Sequence, residues 1–335
     1  MTWLAWRQFR ARAAVALVAL AVVVLLLAVT GPRLAHDFAA GGLADCAAGR
    51  ETDTGSLTCG DLVRGFIDRY PLVRLLGTAL VVLPAMIGAF WGAPLVAGEL
   101  EAGTHQVAWV QSVTRTRWLA VKLSLVGAVA VVVTAILSLA FTWWASSSDR
   151  LGSRISPAHF AQRGVTPVAY AAFALVLGTA IGSVIRRTLP AMATTLAVFF
   201  AVRQAVESWA RPRILDPIEI SHPTFTFYTD EPAGRVAADS GWVLSTQTLD
   251  SAGQVLSSGG TIRDDAAATL CGLPTASPTK AQLDACGESL GLHDVVTMFP
   301  ADRFWTLQAA EAAIFVVLTG AVGAFCFWWV RQRIG

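Results

Sequence analysis

Six apolar runs divide the chain, at residues 13–30, 72–97, 118–145, 167–185, 189–206 and 304–330. Each is at least 18 residues long, and none carries more than one charged side chain. A helix rises 1.5 Å per residue, so about 20 apolar residues cross the hydrocarbon core of a bilayer. The pattern therefore predicts six membrane-spanning helices. Before the first run, residues 2–12 mix Trp3, Leu4, Trp6 and Phe9 with Arg7, Arg10 and Arg12. At helical spacing this is a basic aromatic stretch expected to lie among the lipid headgroups. The run that follows is longer than the core of a cleaved leader and has no small-residue cleavage site directly behind it, so it reads as a retained span.

The remaining spans carry their own marks. Pro84 predicts a kink in the second. Trp143 and Trp144 close the third as interface anchors. The fourth contains Gly178-Thr179-Ala180-Ile181-Gly182, a small-residue spacing that lets helices approach closely. Only Arg186, Arg187 and Thr188 separate it from the fifth, which predicts a tight hairpin. Residues 207–303 then form a polar segment of 97 residues, long enough for a small domain. Its strand-like text lies at 224–228 and 241–256, the latter broken by the turn signal Asp250-Ser251-Ala252-Gly253. The expected organisation is 1–206 for the first five helices, 207–303 for the polar domain and 304–335 for the last helix and its tail. The fold class is an all-α polytopic membrane protein with a β-containing domain between helices 5 and 6.

Composition agrees: 55% of the 335 residues are hydrophobic, 14% are charged, and the mean hydropathy is +0.57. The net charge of +2 says little, but its distribution fixes an orientation. With the N-terminus inside, ten cations (Arg7, Arg10, Arg12, Arg115, Arg117, Lys122, Arg186, Arg187, Arg331 and Arg333) face the cytoplasm against two acids, Glu99 and Glu101. Short Arg-rich loops on one side are the positive-inside pattern, so both termini are expected in the cytoplasm and the 207–303 domain outside, in a plasma membrane. Cys46 and Cys59 then share one outer loop, and Cys271 and Cys286 share the outer domain. In an oxidising compartment each close pair predicts a disulfide. Cys326, inside the last span, reads as a free packing residue.

Several functions are disfavoured. The two lysines, Lys122 and Lys280, lie in no phosphate-binding loop motif, so nucleotide hydrolysis is not expected of this chain. No ordered catalytic motif, metal-ligand spacing or nucleic-acid-binding patch stands out.

The interruption between the second and third spans is the most informative stretch. Glu99 and Glu101 lie two apart, so they point to different faces, between Gly98 and Gly103. Thr104 is placed to cap a short helix in which Val107, Val110 and Gln111 recur at helical spacing. Arg115 and Arg117 would hold its far end at the headgroups. Such a helix, lying across the bundle mouth, offers a face to a soluble partner. The plainer reading is an ordinary inner loop with orienting charge. Acids placed against the positive-inside trend are the feature that docking would explain.

The text PLVAGELEAGTH…SVTRTRWLAVK at 94–122 resembles the loop between the second and third spans of ABC-2 type exporter permeases, whose actinobacterial members carry a similar E-x-E-x-G-T…S-x-T-R-x-R-W…K pattern. The text PADRFWTLQ…FCFWWVRQR at 300–333 resembles their last span. This resemblance implies a non-catalytic transport subunit that pairs with a second permease copy and with ATP-binding subunits, which hold ATP and magnesium. Residues 98–117 would then be the coupling element, with Glu99, Glu101, Gly103, Thr104, Arg115 and Arg117 at the ATPase contact. Residues 2–12 would match the family's interfacial helix. Many members have a short final outer loop, so the long 207–303 segment is a departure.

Charges inside the spans complete the picture. Arg203 and Glu207 are four apart and predicted to pair. Glu311 lies about 10 Å into the last span at 1.5 Å per residue. An intramembrane carboxylate suggests a functional polar site. The competing and preferred reading is a structural pair with Arg203 or Arg74, or a shallow water-exposed position. Phe199, Phe200, Trp209 and Trp305 either line an apolar path or face lipid. The sequence thus predicts an ATP-driven export permease of hydrophobic or amphipathic cargo. The alternative is a membrane-anchored sensor or assembly factor acting through its outer domain. A proton-driven transporter is disfavoured, because no span carries a series of acids or histidines.

Overall fold

The computed structural model describes residues 2–43, 59–103, 114–146, 154–222, 241–258, 270–272 and 280–333. In chain order the helices are α1 (Thr2–Ala40), α2 (Cys59–Arg69), α3 (Pro71–Ile87), α4 (Ala93–Glu101), α5 (Arg115–Ala145), the single turn α6 (Pro157–Phe160), α7 (Thr166–Ile185) and α8 (Thr188–Ala205). Four strands follow with one helix among them: β1 (Ile218–His222), β2 (Gly241–Leu249), β3 (Val255–Ser258), α9 (Lys280–Ser289) and β4 (His293–Pro300). The last helix is α10 (Phe304–Gln332). Six helical segments are long and apolar enough to cross a membrane. The chain divides into a helical unit and a second unit of residues 149–157 and 215–304.

Several boundaries differ from the sequence reading, among them the first span, which continues through Gly31 and Pro32 to Ala40. The basic stretch at 2–12 and the first span form one unbroken helix, because no Gly or Pro interrupts residues 2–30. The second span runs through a π turn at Gly88–Gly92 and on to Glu101, so Glu99 and Glu101 sit on its last helical turn. Gly103 ends it with φ +68, the left-handed conformation that glycine adopts most readily. The fifth span likewise continues past Ala205 through a π turn at Val206–Ala210 and a 3-10 turn at Arg211–Arg213. Each π turn lies just ahead of a proline, Pro94 or Pro212, which has no N–H to bond the carbonyl four residues back, Phe90 or Ser208.

α7 is the axis of the helical unit. It is apolar on every face, as a fully surrounded helix must be. Its small residues meet those of the second span backbone to backbone. A Cβ added at Gly88 would stand 2.6 Å from the Ala174 carbonyl oxygen, and one at Gly92 would stand 2.5 Å from that of Leu175. On the α7 side, Cβ atoms at Gly178 and Gly182 would collide with the backbone of Gly88 and Ala93. The small-residue spacing read at 178–182 is therefore a seam against α3, the π turn and α4. Beyond the seam, Tyr170, Phe173, Phe199 and Phe315 form an aromatic core joining α7, α8 and α10. Phe199 is buried in it, whereas Phe200, Trp209 and Trp305 are exposed.

At the other end of the third span the two tryptophans part company. Trp143 is exposed, but Trp144 is buried and its indole N–H donates to Thr30 Oγ1 at 2.9 Å, fixing α5 to α1. Cys326 is a buried free thiol packed among Val96, Trp118, Leu119, Ala180 and Val330.

The second unit contains a four-stranded antiparallel sheet of order β1-β4-β2-β3. The 241–256 text forms the β2–β3 hairpin at its predicted turn. Asp250 Oδ1 accepts from the N–H groups of Ala252 and Gln254 at 2.9 and 2.8 Å, and Gly253 takes φ +78. β4 lies between β1 and β2 and alternates between buried and half-buried positions, with Val296 and Met298 on its buried face. The Cys271–Cys286 disulfide is present. The expected Cys46–Cys59 bridge and the strand text at 224–228 lie outside the described residues.

Candidate functional sites in the helical unit

Two groups of polar side chains are built into the helical unit, and each draws on three separate helical segments. The first lies where the second span ends and the third and fifth begin. A helix C-terminus is the electrostatically unfavourable end for a carboxylate, yet α4 ends in two. Each is compensated by a neighbour. Glu99 pairs with Lys122 of α5, whose ammonium is buried and also lies 4.7 Å from the Trp118 ring centroid. Glu101 Oε2 accepts from both the backbone N–H and the hydroxyl of Thr188, at 2.9 and 2.7 Å. Thr188 is the first residue of α8, so Glu101 supplies the anionic cap that this helix N-terminus favours.

Facing opposite ways at two-residue spacing, the carboxylates thus join three spans. Gly103 provides the turn that follows them. Thr104 and the segment to 113 lie outside the described residues. On the far side of that segment, Thr114 caps α5 by accepting from the Arg117 N–H at 3.4 Å. Arg115 and Arg117 occupy the first turn of α5, Arg115 half-buried and Arg117 exposed. Arg186, in the left-handed conformation at φ 59, donates to the Arg333 carbonyl at 3.0 Å and ties the α7–α8 turn to the end of α10. The basic ends of four spans therefore meet at one end of the bundle.

The second group is a buried ion cluster. Arg211 holds Glu311 in a two-pronged pair, Nε to Oε2 at 2.7 Å and Nη2 to Oε1 at 3.0 Å. Tyr170 of α7 donates its hydroxyl to the same carboxylate. Glu207 bridges onward, 3.8 Å from Arg211 and 3.7 Å from Arg203. The Arg211 guanidinium stacks 4.4 Å from the Phe160 ring centroid, and Arg203 lies 5.6 Å from that of Tyr170. Two arginines thus face two glutamates, so the cluster adds no net charge to a low-dielectric interior.

One turn away, Gln308 of α10 clamps the start of α7. Its Oε1 accepts from the N–H groups of Val165 and Thr166 at 3.1 and 3.0 Å, and its Nε2 donates to the Phe160 carbonyl at 2.9 Å. This satisfies N–H groups that a buried helix start leaves without partners. Arg163, just before α7, is buried against the Phe141 ring, and that burial pushes its guanidinium pKa down to about 10.

The predicted Arg203–Glu207 pair is therefore present, but as the edge of a larger cluster. Glu311 pairs with Arg211, a residue assigned to the outer polar segment in the sequence reading. The π and 3-10 turns carry the fifth span far enough to bring Arg211 back onto α10. No local signal marks Tyr170 or Gln308, because their roles depend on helix packing. Lys122 was detectable as one of only two lysines and the single charge in its span. Among the described residues no group of three or more His, Cys, Asp or Glu side chains is placed to hold a metal.

A bundle of six helices long and apolar enough to cross a membrane, cross-linked by ion pairs, defines a multi-pass membrane protein. The family model described as ABC-2 membrane transporter related matches residues 17–211, more than half of the chain, and the chain belongs to that family. It is thus a transmembrane transport subunit of an ABC system. Comparisons with curated proteins and with solved structures each return no match.

Proposed function

We propose that the chain is the permease of an ATP-driven ABC-2 type exporter. It works with a separate ATP-binding subunit, which carries ATP and magnesium, and with a second permease copy. Family membership over residues 17–211 is the observation that carries this reading. The basic bundle end faces the cytoplasm, as the charge asymmetry favours, and the 98–117 element docks on the ATPase.

The geometry at that end supports a lever. Motion of the 104–113 segment reaches α4 at one end and α5 at the other. From α4, Glu101 passes it to α8 and Glu99 passes it to α5. The Gly-lined seam lets α7 move with the second span as one body. Glu311, Arg211 and Tyr170 hold α7, α8 and α10 together, so displacement at the basic end moves packed helices rather than single side chains. The cargo on this reading is hydrophobic or amphipathic, a lean drawn from the exposed Phe200, Trp209 and Trp305.

Affinity purification of the full chain from its native membrane in mild detergent, with mass spectrometry of what co-purifies, tests this directly. The expected result is an ATP-binding subunit in near-equal amount. Its absence from an intact, correctly inserted chain would reject the exporter reading in favour of a sensor acting through the second unit.

A further inference from the structure

The helical unit holds a cavity of about 430 Å³ between α1, α4 and α5, closed at one side by Thr188 at the start of α8. Its lining is divided by chemistry. Phe9, Pro94, Leu95, Leu125 and Val126 give an apolar wall, while Arg12, Lys122 and Glu99 give the polar one. Lys122 and Glu99 neutralise each other, so Arg12 leaves the cavity with one net positive charge. Among the described residues no carboxylate is paired with Arg12, and its side chain is exposed. The position is defined by the spans: Phe9 opens the first, Gly98 and Glu99 close the second, and Thr188 opens the fifth. The cavity therefore sits at headgroup depth, on the helix that carries the exposed Arg7, Arg10, Trp3 and Trp6.

We propose that this cavity is a binding site for one anionic phospholipid. The phosphate is held by Arg12, the Lys122–Glu99 pair adds no net charge, and the upper acyl chain lies along Leu95, Leu125 and Val126. A basic pocket between spans at the headgroup level is the arrangement that recognises acidic lipid heads. A charge-assisted bond from Arg12, beside the exposed Arg7 and Arg10 of the same helix, gives preference over a zwitterionic lipid of the same chain length. The bound lipid would brace α1 against the α4–α5 pair that flanks the 98–117 element.

The test uses the full-length chain in detergent micelles doped with phosphatidylglycerol or phosphatidylcholine, or supplied with inorganic phosphate alone. Native mass spectrometry counts retained lipid, and thermal unfolding reports its effect. Phosphatidylglycerol is expected to saturate at one molecule per protomer and to raise the unfolding temperature, whereas phosphatidylcholine and phosphate do neither. Arg12→Gln, at an exposed position, is expected to raise the half-saturating lipid concentration roughly tenfold, the size of one hydrogen bond to a charged group. Arg187→Gln, at the same bundle end but outside the cavity, should leave it unchanged. Equal retention of both lipids, stabilisation by phosphate alone, or unaltered binding in Arg12→Gln would each overturn the proposal.

Discussion

Glu101 and Thr188 meet across the bundle end so that the last turn of the second span caps the first turn of the fifth. A carboxylate at the unfavourable end of its own helix thereby becomes the favourable anion of another. Glu101→Ala removes the cap and leaves the Thr188 N–H and hydroxyl to water. The expected result is a lower unfolding temperature, as for a lost helix cap. Glu101→Gln keeps an acceptor and should recover part of the loss. Thermal unfolding of the purified chain, compared across the two variants, measures the difference. Equal stability of wild type and Glu101→Ala would show that the cap contributes nothing.

The Arg211–Glu311 pair should behave as a coupled unit. Removing one partner strands a buried charge, so Arg211→Met or Glu311→Leu alone is expected to cost about 3–5 kcal/mol. The double variant replaces both charges by apolar volume and should recover most of that loss. A double-mutant cycle on unfolding in mixed micelles reads the coupling directly. Additive losses would mean the two side chains do not depend on each other.

The backbone seam between α7 and the second span leaves no room for a side chain. Gly178→Ala is expected to destabilise by about 1–3 kcal/mol through overpacking, and Gly178→Leu to prevent assembly of the bundle. Gly320, around which a Cβ meets nothing, is the control: Gly320→Ala should be neutral or slightly stabilising. The yield of monodisperse protein and its unfolding temperature separate the cases.

In the second unit, the Cys271–Cys286 bond closes a loop of sequence separation 15. A loop of that size corresponds to about 3 kcal/mol in the chain-entropy account. Cys271→Ser should therefore render residues 215–304 sensitive to limited proteolysis while the helical unit keeps its resistance. An unchanged digestion pattern would show that the sheet holds the unit together unaided.

How far the sequence reached depended on the range of the interaction. Periodicity and run length located every span, and the Asp250–Gly253 turn located a hairpin, because those signals are local. The small-residue seam was legible for the same reason, since Gly178 and Gly182 lie on one helix face. Span ends were not. The π turns ahead of Pro94 and Pro212 extend helices through residues that read as loop, and this is what puts Glu99, Glu101 and Arg211 on helices. Glu311 was visible as a charge needing a partner, but its partner lies 100 residues away on another helix. β1 and β4 escaped notice because their pairing is non-local and no turn signal joins them. Thr188 offered no signal, since its role exists only where α4 arrives beside it.

The central claim is that the paired carboxylates transmit ATPase motion to the spans. The most direct test is the ATPase activity of the co-purified complex, measured together with transport, for the wild type and for Glu99→Lys with Glu101→Lys combined. The account predicts a chain that inserts normally and retains ATP hydrolysis but loses the link between hydrolysis and transport. A doubly reversed variant that transports at the parental rate, with parental stimulation of the ATPase, would contradict it.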